Sequence, residues 1–268
     1  MKIGVLGYKD KVKSTGAVQA AMQSLQACGY QVVCFSSPAE IDGVDVLIVL
    51  GGDGAILHSA VIAAKKNIKV IGVNYGNLGF LTEFEKNEWE KVVELLARIQ
   101  KGDCRIVERS LLEVEIAGRV FYALNEVAVQ RDSGTSRVEN PQILRLEIAT
   151  REGVTTVSGD GALICTPTGS TAYSLSAGGA IITPEVPVFM LTPICAFSMR
   201  SRPTVFADDE CFTVTIKKGK AAISLDGVPL IALTENTQIR IRKAPFTANF
   251  PTSGTTDFFA KVKNKLSE

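Results

Sequence analysis

Hydrophobic residues in the first hundred positions fall into short continuous runs that alternate with segments of helical spacing. The runs predict strands, and apolar residues three and four positions apart predict helices. The predicted strands are Ile3–Tyr8, Gln31–Phe35, Val44–Leu50 and Lys69–Val73, and the predicted helices are Ser14–Cys28, Ala55–Ala64 and Glu88–Ile99. Because nearly continuous apolar strands are buried on both faces, this pattern favours a parallel sheet covered by helices.

After about Cys104 the pattern changes to many short strand-like segments separated by turn residues. These segments are Leu112–Ile116, Val120–Leu124, Val127–Arg131, Ile143–Thr150, Val154–Val157, Leu163–Thr166, Phe212–Lys217, Ala221–Leu225 and Ile239–Lys243. Such a pattern is typical of a β-sandwich-like domain, and the tail Asp257–Leu266 is predicted to form an amphipathic helix. The sequence therefore predicts two domains: a Rossmann-like parallel α/β domain over 1–103, rejoined by 248–268, and a β-rich domain over 104–247.

The composition excludes several classes of protein. The 268 residues include 29 basic and 28 acidic side chains, and a net charge of +1 gives no electrostatic footprint for nucleic acid or an anionic membrane. A chain with one histidine and no Cys-x-x-Cys pair lacks the ligand spacing of a zinc site. The first apolar stretch is too short for a signal peptide, and no apolar run approaches the roughly 20 residues of a membrane span. We therefore expect a cytoplasmic protein that neither crosses a membrane nor binds nucleic acid.

Three glycines and an aspartate, Gly51, Gly52, Asp53 and Gly54, directly follow the predicted strand Val44–Leu50. Ligands of open α/β sheets bind at the carboxyl ends of strands, where glycines let backbone N–H groups approach a phosphate. The N-terminus of the following helix adds partial positive charge. Asp53 would then be a carboxylate beside phosphates, able to receive a proton from an attacking hydroxyl or to hold a metal ion. The alternative is a tight turn in which Asp53 only caps the helix.

Two later segments also place small and polar residues after strands. Gly72–Leu81 includes the candidate binding residue Phe80, and Asp160–Gly179 combines a strand, a hydroxyl-rich turn and a small-residue helix. Hydroxyls and backbone donors there can bind the polar edge of a base or ribose, and Tyr173 offers a face for stacking. The alternatives are a loop that merely redirects the chain and a buried loop whose hydroxyls cap a helix. The P-loop, the dinucleotide fingerprint after a strand, and the protein-kinase catalytic loop are all absent from the sequence.

Taken in order, five elements resemble the NAD kinase family over nearly the whole chain: Gly51–Gly54, Gly76–Leu81, Asn125-Glu126, Asp160–Gly179 and Arg202-Pro203. The first is shared with diacylglycerol, sphingosine and phosphofructo-kinases, whereas TPTGSTAYSLSAGG is highly specific. The resemblance implies transfer of the γ-phosphoryl group of ATP to the 2′-hydroxyl of the adenosine ribose of NAD, which makes NADP. It also implies Mg²⁺ or another divalent cation, a homotetramer, and an active site between the two domains.

The resemblance further implies site residues by position. Asp53 corresponds to the family's catalytic aspartate, and Gly51, Gly52 and Gly54 correspond to its phosphate-handling turn. Asp160 corresponds to an acidic residue that reaches a neighbouring subunit's ligand. The positions that correspond to the NAD pocket are Asn125, Glu126, Thr171, Ala172, Tyr173, Ser176 and, as a secondary candidate, Asp226.

The chain departs from the family at a few positions. Ala55 stands where members usually carry threonine, which removes one hydroxyl expected to face phosphate. Ala180 and Ala196-Phe197 replace a common proline and a common Pro-His pair, and they are expected to alter pocket walls rather than the reaction. Two other functions stay open. One is a lipid kinase that shares the glycine-rich turn and has an apolar acceptor pocket, and the other is a non-catalytic NAD-binding sensor. NADH as acceptor and polyphosphate as donor also stay open.

Overall fold

The chain forms two compact units in a computed structural model that describes residues 1–7, 16–76, 79–132, 143–254 and 257–266. One unit comprises Met1–Arg109 together with Phe246–Glu268, and the other comprises Ser110–Pro245. The sequence predicted domain boundaries after positions 103 and 247, and the two units divide after Arg109 and after Pro245. Among the described residues, no helix has both the length and the apolar character needed to cross a bilayer.

The first unit contains a five-stranded parallel sheet flanked by helices, as the apolar runs predicted. Its strands are β1 (Lys2–Gly7), β2 (Gln31–Phe35), β3 (Val46–Gly51), β4 (Lys69–Asn74) and β5 (Phe84–Glu85), in the spatial order β2-β1-β3-β4-β5. Its helices are α1 (Ala17–Ala27), α2 (Asp53–Lys65), α3 (Trp89–Lys101) and a C-terminal helix (Phe258–Leu266). Residues 8–15, which include the ends of a predicted strand and a predicted helix, lie outside the described residues.

The register of β3 and β4 brings two of the glycine-rich segments to one edge of this sheet. Gly51 at the end of β3 is paired with Asn74 at the end of β4, and both strands run in the same direction. The turn after Gly51 and the loop after Asn74 therefore leave neighbouring strands at their carboxyl ends, where open α/β sheets bind ligands.

The second unit contains two antiparallel six-stranded sheets around a common apolar core. The strands are β6 (Arg105–Ile116), β7 (Arg119–Ala123), β8 (Glu126–Arg131), β9 (Leu144–Thr150), β10 (Gly153–Gly159), β11 (Gly161–Cys165), β12 (Val188–Ile194), β13 (Thr204–Ala207), β14 (Phe212–Lys218), β15 (Ala221–Leu225), β16 (Val228–Leu233) and β17 (Gln238–Thr252). One sheet has the order β10-β9-β14-β17-β6-β7 and the other β13-β12-β11-β8-β15-β16. Buried side chains of both sheets, such as Leu146 and Val129, belong to one core cluster, which is the sandwich arrangement that the sequence predicted.

Two parts of this unit differ from the prediction. The segment after β11 forms a 3₁₀ turn at Thr168–Thr171 and a single helical turn, α4 (Tyr173–Ser176), in place of the expected small-residue helix. Strands β12 and β13 were not predicted, and β12 contains Pro193, a residue that is disfavoured inside a strand. In the structure Pro193 is paired with Ala162 of β11.

Candidate active site

The glycine-rich turn after β3 leads straight into α2. Gly52 is the N-cap in an extended conformation, and Asp53 is the first residue of the helix. Apart from chain neighbours and the helix backbone, no described atom lies within 4 Å of an ideal Cβ built at Gly52 or at Gly54. Protein packing therefore does not require these glycines, and the backbone stays open to a ligand at a helix N-terminus.

The Asp53 carboxylate does not cap its own helix, so the structure contradicts the capping alternative. Oδ2 accepts a hydrogen bond from the Phe80 N–H at 2.8 Å, and Oδ1 accepts one from the Leu81 N–H at 2.9 Å. The ammonium of Lys265 lies 3.3 Å from Oδ2. The Asp53 side chain is 26% exposed, so it is held by the neighbouring loop and still open to solvent on one side.

The loop after β4 can approach Asp53 this closely because Gly79 has no side chain. An ideal Cβ at Gly79 would lie 2.4 Å from Oδ1 of Asp53 and 2.9 Å from Oγ1 of Thr82. The start of the loop is tied to buried Asn74, whose Oδ1 accepts the N–H of Gly76 at 3.0 Å. Residues 77 and 78, part of the predicted Gly76–Leu81 element, lie outside the described residues.

Ala55, the departure from the family pattern, lies in the first turn of α2. Its side chain is only 4% exposed and is packed inside the unit. Its carbonyl oxygen accepts the hydroxyl of Ser59 at 2.8 Å. In this structure, the side-chain position that the missing threonine would occupy faces packed protein.

In the second unit, Asp226 joins the hairpin turn between β15 and β16 to the chain before β8. Asp226 and Gly227 both have positive φ, 49° and 77°, which suits an Asp-Gly hairpin turn. The Asp226 carboxylate accepts backbone N–H groups of Leu124 at 2.9 Å, Asn125 at 2.7 Å and Glu126 at 3.1 Å. These bonds stabilise its negative charge and fix the positions of Asn125 and Glu126.

Buried polar atoms at the start of β8 lack partners among the described residues. They are Oδ1 of Asn125 and Oε2 of Glu126, whose residues are 9% and 4% exposed. Burial, and secondarily the charge of Asp226, raises the pKa of Glu126 to about 8. Glu126 is therefore mostly a neutral carboxylic acid at pH 7, able to donate one hydrogen bond and accept others. Unpaired buried polar atoms are costly in a folded protein, so they indicate a place that a polar ligand completes.

The hydroxyl-rich segment after β11 packs tightly on the same chain stretch. The Thr166 hydroxyl donates to the Leu124 carbonyl at 2.6 Å, and the Thr166 N–H donates to the Asn125 carbonyl at 2.9 Å. An ideal Cβ at Gly169 would lie 2.1 Å from the Asn125 carbonyl oxygen, so this approach requires glycine. Buried Ser170 bonds the Pro167 and Ile182 carbonyls rather than capping a helix.

The remaining predicted pocket residues follow this turn at partly exposed positions. Thr171, Ala172 and Tyr173 are half-buried, and Ser176 is exposed. The Tyr173 hydroxyl accepts the side-chain amide of Gln130 at 2.7 Å, which fixes the ring, and burial raises the pKa of Tyr173.

Asp160, at the start of β11, lies apart from the Asn125 stretch along the strand. Its carboxylate forms an ion pair with Arg131 at 3.0 Å, and both side chains are nearly half exposed. The neighbouring glycines allow close backbone approach, since a Cβ at Gly161 would lie 2.3 Å from the Val129 carbonyl oxygen.

The structure thus brings the predicted residues together as two clusters, one in each unit. The first contains the glycine-rich turn, Asp53 and Phe80, and the second contains Asn125, Glu126, Asp226 and the segment that starts at Thr166. Sequence reasoning did not identify Lys265, the steric role of Gly79, or Gln130. The sequence gives only a weak signal for Lys265: it lies in the predicted amphipathic helix Asp257–Leu266, whose apolar face is expected to pack against the rest of the protein.

Comparison with known proteins gives a consistent result. Residues 8–104 match the ATP-NAD kinase N-terminal domain and residues 124–252 match the ATP-NAD kinase C-terminal domain. The chain is 36% identical over 233 residues to the NAD kinase of Heliobacterium modesticaldum, covering 84% of this chain and 79% of that protein. It is 31% identical over 284 residues to the NAD kinase of Ruminiclostridium cellulolyticum, covering 100% of this chain and 98% of that protein. The chain belongs to the NAD kinase family.

Solved structures support the same assignment. An NAD kinase from Archaeoglobus fulgidus in complex with ATP aligns with a TM-score of 0.81 and 25% identity, covering 100% of this chain and 99% of that one. Yeast NADH kinase complexed with NADH aligns with a TM-score of 0.85, covering 100% of this chain and 87% of that one, and at 24% identity it supports the fold. As a member of the NAD kinase family, the chain is a phosphotransferase, which confirms the reaction class predicted from its motifs.

Proposed function

We propose that this chain transfers the γ-phosphoryl group of ATP to the 2′-hydroxyl of the adenosine ribose of NAD, with Asp53 orienting and deprotonating that hydroxyl. The observation that carries the role of Asp53 is its carboxylate at the carboxyl end of β3, held by the N–H groups of Phe80 and Leu81 and still partly exposed. Binding alone would not need a carboxylate beside anionic phosphates, which argues against a non-catalytic sensor.

In the proposed reaction the hydroxyl proton passes to Asp53 as its oxygen attacks the γ-phosphorus, and ADP leaves. Phosphoryl transfer depends chiefly on positioning and charge stabilisation, so these are the main contributions expected of the protein. The open glycine turn at Gly51–Gly54 and the N-terminus of α2 would supply backbone N–H groups and partial positive charge to the phosphates.

We assign the adenosine end of NAD to the second-unit cluster. The unpartnered Oδ1 of Asn125 can accept a hydrogen bond from an amino or hydroxyl group, and the neutral Glu126 carboxyl can donate or accept one. Thr171, Ala172 and Ser176 would line the pocket, and the fixed ring of Tyr173 would provide a stacking face. Asp226 would act by holding the Asn125–Glu126 backbone.

A divalent cation, Mg²⁺ or an equivalent, would arrive with the substrate phosphates. Among the described residues, no group of three or more His, Cys, Asp or Glu side chains could hold a metal. Mg²⁺ is commonly bound through substrate phosphates and only one or two carboxylates. The cation would neutralise charge on the transferring group.

Three further features come from the family resemblance or from the sequence. We propose a homotetramer in which Asp160 reaches a ligand in a neighbouring subunit, and a cytoplasmic location. The half-exposed position of Asp160 beside Arg131 is compatible with contact across a subunit boundary.

The test is a donor-by-acceptor assay that measures ADP release from ATP on adding NAD, NADH or a diacylglycerol, together with the Asp53→Asn variant. We expect turnover with the nicotinamide dinucleotide and none with the lipid. Asp53→Asn should lower turnover by about 10²–10⁴-fold, the usual effect of removing a general base, and leave the Kd for NAD within a few-fold. Near-normal turnover of a folded Asp53→Asn protein would refute the role of Asp53. Turnover with the lipid would favour the rival lipid kinase.

A further inference from the structure

The C-terminal helix α5 (Phe258–Leu266) contacts the loop that holds Asp53 at several points along its length. The Phe258 ring lies 6.4 Å from the Phe80 ring, centroid to centroid. One turn later, the Lys261 ammonium donates to the Thr82 carbonyl. These residues are three positions apart, so they lie on one face of the helix.

Lys265 extends this face to the carboxylate itself. Its Nζ lies 3.3 Å from Oδ2 of Asp53 and 4.3 Å from the centroid of the Phe80 ring. The N–H of Phe80 donates to the same oxygen. One ammonium therefore contacts both the carboxylate and the residue that holds the carboxylate in place.

We propose that Lys265 is a positioning residue for the phosphoryl transfer, acting through Asp53. This inference rests on the proposed role of Asp53. A carboxylate has about four acceptor sites. The Phe80 N–H and Lys265 occupy Oδ2, and the Leu81 N–H takes one site on Oδ1. Lys265 thereby reinforces the orientation that the two backbone N–H groups give the carboxylate, and it leaves the second site of Oδ1 for the substrate hydroxyl.

The charge of Lys265 has a second effect. Bound phosphates would bring negative charge close to Asp53 and repel its carboxylate. An ammonium at 3.3 Å opposes that repulsion and helps to hold the carboxylate in place. The lysine side chain is 37% exposed, so its influence is moderate, since a pair of this kind is typically worth up to about fivefold in an equilibrium.

The experiment compares Lys265→Met, Lys265→Gln and Lys265→Arg by steady-state kinetics, with melting temperatures as a folding check. We expect kcat of the two neutral variants to fall by roughly three- to fivefold, with KM for NAD and for ATP changed less than about twofold, because the proposed role of Lys265 acts through Asp53. Lys265→Arg should restore at least half of kcat. Lys263→Met, at an exposed position on the same helix, is the matched control and should retain full kcat.

A double-mutant cycle separates this role from a merely structural one. In the Asp53→Asn background, measured at high enzyme concentration, Lys265→Met should change the residual rate less than about twofold, because the carboxylate charge is gone. A full effect in that background, an unchanged kcat in both neutral variants, or a raised KM for ATP alone would overturn the proposal. If Lys265→Met turns over normally and Asp53→Asn is inactive, only the proposed role of Lys265 is refuted. If Asp53→Asn is active, the proposed role of Asp53 is refuted.

Discussion

Replacing Glu126 with glutamine should stabilise the protein, and increasingly so as the pH rises. Glu126 is 4% exposed, its Oε2 has no partner among the described residues, and the charge of Asp226 lies nearby. Asp226 accepts three backbone N–H groups, so of the two carboxyls it is the one better suited to carry the negative charge. Glutamine has nearly the same shape as the neutral acid and cannot ionise.

The magnitude follows from the pKa shift. The pKa of Glu126 rises from 4.5 to about 8 on folding. Its favourable contribution to stability is therefore fully present below pH 4.5 and is lost as the pH rises toward 8 and above. Between pH 4.5 and about 8, the free energy of unfolding falls by about 1.4 kcal/mol for each pH unit. Between pH 5.5 and 7.5 the free energy of unfolding of the parent protein should therefore fall by about 2–3 kcal/mol relative to that of Glu126→Gln.

Urea unfolding of both proteins at pH 5, 5.5, 6.5 and 7.5 measures this difference. The advantage of Glu126→Gln in the free energy of unfolding should be small at pH 5, which serves as the internal control, and should grow steadily toward pH 7.5. An advantage that stays constant over this range, or a variant that loses stability as the pH rises in parallel with the parent, would refute the assignment of a neutral buried Glu126.

Three further predictions concern the proposed active site. Gly79→Ala should lower kcat by at least about tenfold, because its Cβ would lie 2.4 Å from the Asp53 carboxylate, whereas Gly76→Ala, with its nearest contact at 3.9 Å, should retain most activity in the same assay. Tyr173→Ala should raise KM for NAD far more than KM for ATP, since aromatic stacking on a base is worth roughly 1–3 kcal/mol; equal changes in both constants would contradict a stacking role. Dialysis against a chelator should give folded but inactive protein that Mg²⁺ reactivates, and full activity in excess chelator would exclude the proposed cation.

The sequence predicted features that depend on neighbouring residues. The β-branched run that ends at Leu50 and the glycines after it specify a buried strand and an open turn locally, so both could be located without a structure. Asp226-Gly227 likewise specified its own hairpin turn. The prediction missed β12, where Pro193 is paired with Ala162 although proline is disfavoured inside a strand.

The parts of the site that escaped prediction depend on contacts between distant positions. Lys265 lies 212 residues from Asp53 in the chain. Asp226 was a secondary candidate through the family resemblance, but its contact with N–H groups about 100 residues away was not predicted. Neither spacing leaves a periodic pattern. The need for glycine at position 79 comes from the approach of a carboxylate on another element, and a single sequence does not reveal that approach.

The discontinuity of the first unit has a consequence for how the protein is made. Positions 246–268 belong with the first 109 residues, although the whole second unit is synthesised between them. Domains generally fold as units during translation, with N-terminal parts first, so the sandwich can fold while the α/β unit still waits for its last strand segment and helix. Lys265 is then synthesised only after the whole second unit. A nascent chain already contains Asp53 and the glycines proposed to face the nucleotide, but the lysine that contacts the proposed base is added only after the second unit has been made.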